Sequence, residues 1–381
     1  MLLLVLVLVI CSADESPAGR PLGERIRSPS LHSRGFEHED EDEHEEPYLQ
    51  GRLCHSTSEV GLVASGMVKI SSTDLDVFPL ALGGNVFGWT ADEKQSFAVL
   101  DGYREAGGNF IDTADFYSAW APGNRGGESE TILGRWLAVR GKREQTVVAT
   151  KVGLHPQFKG LSAKTIRAAA EHSLKRLGTD HIDLYYAHVD DEQTPLGETL
   201  GAFDALVREG KVRYIAASNY TAPRLAEALA VSDRDGLARY VALQQHYNLM
   251  ERDKYEGELA ELMKRERLSS VPYFALASGF LTGKYRPGYK VESKRAQTAG
   301  AYLNKKGISV LAALDEIAAA HDVAVATVAL AWLAAQPTVV APIASARTTE
   351  QLPDLLRVSS LRLNDAELAK LNEASAPAKA T

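Results

Sequence analysis

From residue 78 onward, apolar residues fall into two alternating patterns: short unbroken runs bounded by Gly, Asn or Asp, and longer stretches in which they return every three or four positions. The first pattern is that of buried strands, the second that of amphipathic helices. The runs predict strands over residues 80–82, 110–111, 147–150, 182–187, 212–217, 241–244, 271–274 and 339–343. Among and after them the helical period predicts 92–106, 128–139, 163–177, 197–209, 223–229, 255–267, 309–321, 327–335 and 365–372. Ser162 is placed to cap the third helix at its start and Gly178 at its end. Eight strands separated by helices is the count of a closed α/β barrel, so residues 67–381 are expected to form a single (β/α)8 TIM barrel. A doubly wound sheet would need a Gly-rich phosphate loop after its first strand, and Gly83-Gly84-Asn85-Val86-Phe87-Gly88 lacks the G-x-G-x-x-G spacing.

The first 66 residues follow neither pattern. Residues 2–10 are a continuous apolar run, too short to span a bilayer, and Cys11-Ser12-Ala13 after it has the small side chains of a signal-peptidase site, though no Lys or Arg precedes the run. Beyond it lie Pro, Arg, Ser and acidic residues that cannot build a core. Residues 1–66 are therefore expected to be a disordered extension, a leader or an upstream addition to a natural start at Met67. His38 and His44 stand among carboxylates, where a solvated acidic tract is the simpler reading than a metal site.

Composition changes this picture little. At 381 residues, 45% hydrophobic and 24% charged, the chain is globular with a sizeable core. A net charge of -8 and a pI near 5.8 argue against a nucleic-acid binder. The run from Glu37 to Glu46 holds eight acidic residues, so the rest of the chain is close to neutral. The two cysteines, Cys11 and Cys54, lie upstream of the expected barrel, which therefore has no disulfide framework, no cysteine nucleophile and no zinc motif.

Candidate chemistry begins at GGNFIDTADFY, residues 107–117. Here a glycine pair closes a helix, a short apolar strand follows, and Asp112 and Tyr117 stand directly beyond it. A capping aspartate and a packed tyrosine would look the same in isolation. Two further strand ends alter the balance: Lys151 follows the third strand in VVATKVG, and His188 follows the fourth in DLYYAHVDD. Singly, these could be a surface lysine and a core histidine. On a barrel all four side chains share the catalytic face. Tyrosine has an ordinary pKa of about 10, so it needs help to exchange a proton near neutrality. Lys151 is expected to lower it, Asp112 to hold the lysine charged, and His188 to bond a substrate oxygen as neutral imidazole.

The chain from about Met67 to Leu368 resembles the aldo-keto reductase family, in a bacterial-type, NADP-dependent form. GGNFIDTADFY, GESETILGRWL, VVATKVG, RLGTDHIDLYYAHVDD, GKVRYIAASNY, QQHYNLMER and PYFALASGFLTGKYR resemble successive family blocks in the family's order. The resemblance implies a (β/α)8 barrel, a catalytic tetrad of Asp112, Tyr117, Lys151 and His188 with Tyr117 as proton donor, and carbonyl reduction by an oxidoreductase. It implies NADPH as cofactor, in preference to NADH, with Gly84 and Asp112 among the cofactor-binding residues and Ser218, Asn219, Gln244 and Tyr273 toward the nicotinamide. Leu276, Ser278 and Lys284 fall toward the phosphates, and Ser345, Arg347 and Gln351 toward the adenosine 2′-phosphate and adenine. The family often has Ser-Pro where this chain has Phe274-Ala275, which leaves that pyrophosphate contact to backbone. Trp89, Phe116, Trp120 and the loop 286–302 are expected to shape the pocket for an apolar or aromatic small-molecule carbonyl. No metal, nucleic acid or membrane partner is expected. The protein is expected to be a monomer or homo-oligomer in the cytoplasm, with secretion through residues 1–13 as the alternative. Some proteins resembling the family are auxiliary channel subunits that sense nucleotide, and that is the alternative function.

Overall fold

The computed structural model describes residues 66–377. The extension expected over 1–66 lies, Gly66 excepted, outside these residues, together with its apolar run, both cysteines and the acidic tract.

Eight parallel strands carry the fold. β1 (Ala81–Gly83), β2 (Phe110–Asp112), β3 (Val147–Val152), β4 (Ile182–Ala187), β5 (Val212–Ser218), β6 (Tyr240–Gln244) and β7 (Ser269–Ser270) bond in chain order, and β8 (Ile343–Ala344) lies beside β1. The remaining gap is closed by the chain around β7 and before β8. Ser270 N–H donates to Thr338 O at 2.7 Å, Val340 N–H to Ser270 O at 3.0 Å and Ile343 N–H to Pro272 O at 2.9 Å. The result is a (β/α)8 barrel.

The two expected strands at this seam are displaced. The one expected over 271–274 is Ser269–Ser270, and the one expected over 339–343 is Ile343–Ala344. Pro272 and Pro342 have no N–H to donate, so regular pairing stops beside each. The ladder nevertheless resumes at Tyr273, whose N–H reaches Gln245 O at 3.0 Å.

The helices follow the expected periods, with ends moved by their caps. Ala163–Leu177 has the expected bounds: Ser162 Oγ accepts from Thr165 N–H at 3.3 Å, and Gly178, in the left-handed region at φ 63°, returns its N–H to Leu174 O. The helix expected over 309–321 starts a turn earlier, at Lys305, because the Asn304 side chain accepts from Gly307 N–H at 3.0 Å. That expected over 223–229 extends through Ala222–Asp235. That expected over 255–267 shortens to Glu258–Arg265. The sequence pattern did not show a hairpin of Leu154–His155 with Phe158–Lys159, nor the short helices Ala296–Gly300 and Leu352–Leu356.

Alternation along each strand sorts its residues between two cores. Leu82, Ile111, Val148, Tyr185, Ile215 and Leu243 pack outward with helix residues such as Val99, Leu133, Ile166 and Leu200. Ala81, Phe110, Ala149, Tyr186, Ala216, Ala242, Val271 and Ile343 fill the barrel interior. Ile70, Leu75 and Val77, from an N-terminal hairpin of Val68–Lys69 with Asp76–Val77, join this interior cluster. Each such buried side chain contributes about 1.5–3 kcal/mol. Asn109, just before β2, fastens the hairpin: its Oδ1 accepts from Phe78 N–H at 2.8 Å and its Nδ2 donates to Asp76 O at 2.9 Å. The hairpin thus closes the end of the barrel where the strands begin, which leaves the opposite mouth for chemistry.

Candidate active site

Two residues past the interior layer, the same inward face of each strand line carries Gly83, Asp112, Lys151, His188, Ser218, Gln244, Tyr273 and Ser345. The register staggers them around the barrel: Asp112 pairs with Gly83 on one side and with Ala149, two residues before Lys151, on the other; Lys151 pairs with Tyr186, two before His188; and Gln244 pairs with Ser218. His188 N–H bonds Val152 O at 2.9 Å and so continues the β4 ladder by one step. A period of two therefore turns eight strand ends into one ring at the C-terminal mouth. Gly83 leaves room for Ser345, whose Oγ would sit 2.5 Å from a Cβ there and instead bonds Asn85 Oδ1 at 2.7 Å. At Gly84 a Cβ would meet Ser129 Oγ at 2.8 Å and Asp112 O at 3.1 Å, so a side chain there would displace the Asp112 backbone.

Lys151 is the hub of this ring. Its Nζ, 0% exposed, donates to both Asp112 carboxylate oxygens at 2.8 Å, to Thr113 O at 2.7 Å and to Tyr117 Oη at 2.9 Å. Tyr117 Oη in turn donates to Asp112 Oδ2 at 3.1 Å, and Gln244 Nε2 donates to Asp112 Oδ1 at 2.8 Å. The His188 and Tyr117 rings meet edge to face at 6.1 Å. Burial, and then Lys151, push the His188 pKa well below the usual histidine range, so the imidazole is neutral. Its Nδ1 is buried without a partner among the described residues, and a proton on Nε2 avoids an unanswered buried N–H.

One expectation is corrected here. Lys151 was expected to lower the Tyr117 pKa, yet burial first and Asp112 second raise it well above 10. Asp112 lies as close to the phenol as Lys151 does, so the ion pair presents little net charge to it. Tyr117 is consequently a firmly protonated phenol. Burial likewise lowers the Lys151 pKa, against the opposing pull of Asp112.

Beside the ring, Asn219 adopts φ 60° and spends its amide on three neighbours: Nδ2 donates to His188 O and Ser218 Oγ, both at 3.0 Å, and Oδ1 accepts from Tyr273 Oη at 2.8 Å. The backbone after Tyr273 then turns left-handed at Phe274, Ala277 and Ser278, with Leu276 between them. Phe274 O is held by Asn248 Nδ2 at 2.8 Å. Further out, Lys284 and Arg347 are exposed, and the Gln351 side chain accepts from Arg347 N–H at 2.8 Å. Thr348, at the start of the turn that follows, makes no side-chain capping bond. Trp89, Phe116 and Trp120 do come together: Trp120 meets Trp89 at 5.7 Å, Phe116 at 5.6 Å and Tyr117 at 6.1 Å, all edge to face. Arg295, from the loop 286–302, lies over Trp89 at 5.6 Å.

Residues 79–376 match the sequence profile of the Aldo/keto reductase family. The chain belongs to this family. Among its relatives, the uncharacterized oxidoreductase YrpG of Bacillus subtilis (strain 168) is 36% identical over 80% of this chain and 94% of its own length. Norsolorinic acid reductase stcV of Emericella nidulans is 33% identical over 78% of each chain. A probable voltage-gated potassium channel subunit beta of Oryza sativa subsp. japonica is 33% identical over 76% of this chain and 89% of its own. Aldo/keto reductases are oxidoreductases that generally use NAD(P)H.

This aldo/keto reductase fits such a cofactor on an observation of its own. Lys284, Arg295 and Arg347 lie close enough to feel one another's charge: burial first, then Arg347 and Arg295, lower the Lys284 pKa, and burial first, then Arg347, lowers that of Arg295. No carboxylate among the described residues pairs with any of the three, whereas neighbouring Arg286 is taken by Asp315 at 2.6 and 2.8 Å. Three cations without counter-charges suit a dinucleotide's phosphates. Sequence reading missed Arg295, because nothing distinguishes it from Lys290 and Lys294 in the same polar loop. It also missed the bond from Gln244 to Asp112, which joins positions 132 residues apart. Among the described residues no cluster of His, Cys, Asp or Glu could hold a metal ion, and no single helix is long and apolar enough to cross a membrane.

Proposed function

We propose that the protein reduces aldehydes or ketones to alcohols with NADPH in the cytoplasm, Tyr117 giving the proton to the carbonyl oxygen. Lys151 carries this reading, because one buried ammonium bonds Asp112 and Tyr117 together. When bound, the reduced nicotinamide supplies the hydride. Tyr117 keeps its proton until the carbonyl oxygen becomes basic, since burial and Asp112 hold its pKa high. The phenolate left behind is then met by the Lys151 ammonium at 2.9 Å, which Asp112 keeps charged. Neutral His188 donates to the same carbonyl oxygen and fixes its orientation. Ser218, Asn219 and Gln244 would hold the carboxamide, Tyr273 would support the nicotinamide ring, and Lys284, Arg295, Ser345 and Arg347 would hold the phosphates.

The walls of Trp89, Phe116 and Trp120 support an apolar or aromatic carbonyl substrate. Loss of NADPH absorbance with an aromatic aldehyde tests this. Steady-state turnover on the order of 1 per second or faster is expected. Tyr117→Phe should lower it roughly 100- to 10,000-fold while leaving NADPH affinity nearly unchanged. Equal turnover in the two proteins would remove Tyr117 from the chemistry.

A second reading follows from the relative named as a potassium channel subunit beta: an auxiliary subunit that reports bound nucleotide. One rapid oxidation of bound NADPH followed by negligible steady-state turnover would favour it.

A further inference from the structure

Tyr273, on which the nicotinamide rests in the function proposed above, is itself backed by a second ring. His246 stacks on it at 5.3 Å with the planes 27° apart, and Phe274 meets both rings edge to face at 5.3 and 5.2 Å. His246 is buried, and its Nε2 has no partner among the described residues. Its other nitrogen, Nδ1, lies 3.4 Å from Lys254 Nζ. An ammonium can only donate, so Nδ1 accepts and the imidazole is neutral. Burial and the Lys254 charge hold its pKa down at about 4, which keeps it neutral. A neutral ring stacks on tyrosine without bringing a charge under the nicotinamide.

The contacts continue away from the ring. Lys254 Nζ pairs with Glu251 Oε2 at 3.1 Å, and Glu251 Oε1 accepts from Tyr302 Oη at 2.9 Å. Tyr302 ends the loop 286–302, whose Arg295 lies over Trp89. Asn248 braces the same turn: its Nδ2 donates to Phe274 O at 2.8 Å, and its Oδ1 accepts from Met250 N–H at 2.8 Å and Glu251 N–H at 3.2 Å. Lys306, just past the loop, donates to Met250 O at 3.1 Å. The turn at 248–254 is therefore fixed on one side to the strand end that bears Tyr273 and on the other to the end of the loop. From Tyr273 the chain of bonds runs on through Asn219 to His188 O.

We propose that His246 is a positioning residue that seats the Tyr273 ring, and that Tyr302, through Glu251 and Lys254, makes this seating depend on the loop 286–302. The inference rests on Tyr273 carrying the nicotinamide. The loop then reports its position to the cofactor's reactive end along side chains that touch neither substrate nor phosphates. Recognition of the 2′-phosphate by Arg347, which lies outside the loop, stays independent of it.

Binding measured on the full chain tests this, with NADPH and with 2′,5′-ADP, which has the adenosine 2′-phosphate and no nicotinamide. His246→Ala should weaken NADPH roughly five- to tenfold, the scale of one aromatic stack, and leave 2′,5′-ADP unchanged. Tyr302→Phe, which removes one hydroxyl and leaves the ring, should weaken NADPH roughly threefold with 2′,5′-ADP again unchanged. The double variant should lose no more than His246→Ala alone, because both act on one path. Equal proportional losses for both ligands, wild-type NADPH affinity in Tyr302→Phe, or multiplying losses in the double variant would each overturn the proposal. Wild-type protein that binds 2′,5′-ADP as tightly as NADPH would instead remove the nicotinamide from Tyr273, and the inference with it.

Discussion

Lys151 and Asp112 form an ion pair in which the ammonium meets both carboxylate oxygens at 2.8 Å and neither side chain is more than 1% exposed. Such a pair stabilises little in net terms, because desolvation offsets attraction, but breaking it strands a buried charge. Lys151→Met should therefore lower unfolding free energy by about 3–5 kcal/mol, read from urea titrations. Asp112 keeps bonds from Gln244 and Tyr117, so its loss of partners is incomplete and the lower end of that range is expected. Combining Lys151→Met with Asp112→Asn should cost less than the two separate losses together, in stability and in turnover, because neither half acts without the other. Simple additivity would show that the pair is not the unit.

The pH dependence expected of the proposed reduction follows from two shifts of opposite sign. Tyr117 must carry its proton, and its raised pKa keeps it protonated throughout the neutral range and beyond. His188 must be neutral, and its lowered pKa keeps it so well into the acid range. Neither group changes state in between. kcat/KM for reduction should thus be flat between about pH 6 and pH 9, with any fall confined to the extremes. A break near pH 7 would mean that one assignment is wrong.

Asp115 offers a prediction about stability alone. It is buried, neither carboxyl oxygen has a hydrogen-bond partner among the described residues, and burial followed by Glu130 raises its pKa well above the usual carboxylate value. The folded protein therefore holds a proton that the unfolded chain releases above about pH 4. By linkage, stability falls as pH rises from there toward the raised folded pKa. Asp115→Asn removes this titration and should flatten the decline. Its stability relative to wild type should be greater at pH 8 than at pH 5 in urea unfolding; the same difference at both values would place the group's titration elsewhere.

How much of this was legible in the sequence depends on what fixes each residue. Asp112, Lys151 and His188 stand where an apolar run stops, and on a barrel the end of the run is the end of the strand, so local pattern located them. β7 and β8 were misplaced because the apolar runs take in Pro272 and Pro342, which have no N–H, so regular pairing stops before Pro272 and begins only after Pro342. Arg295 and the Tyr302–Glu251 contact belong to a loop without period, whose path is set by tertiary contacts. The bond from Gln244 to Asp112 exists only once the barrel brings β6 toward β2, and no local signal encodes it. Nor did the sequence show that Asp112 offsets the influence of Lys151 on Tyr117, since that depends on two nearly equal distances.

The proposed preference for NADPH is expected to turn on Arg347. It follows β8 at the barrel mouth, exposed, and shares its charge environment with Lys284 and Arg295, whose pKa values burial first and Arg347 second hold down. Like charges held together without carboxylates repel one another, so an anion placed among them relieves that repulsion as well as bonding directly. Gln351 occupies the Arg347 backbone N–H, which holds the loop while leaving the guanidinium to reach outward. NADPH carries a 2′-phosphate that NADH lacks, and a charge-assisted contact to it is worth about 1.5–3 kcal/mol, or roughly ten- to a hundredfold in affinity. Wild-type protein should show a preference for NADPH of that size. Arg347→Ala should erase most of it by weakening NADPH and sparing NADH, and Arg347→Lys should restore part, since a lysine keeps the charge but not the planar fork. Because the contact is exposed, added salt should narrow the preference in wild type and change little in Arg347→Ala. Equal affinity of the wild-type chain for the two nucleotides would show that Arg347 reads no phosphate, whatever the three cations hold in common.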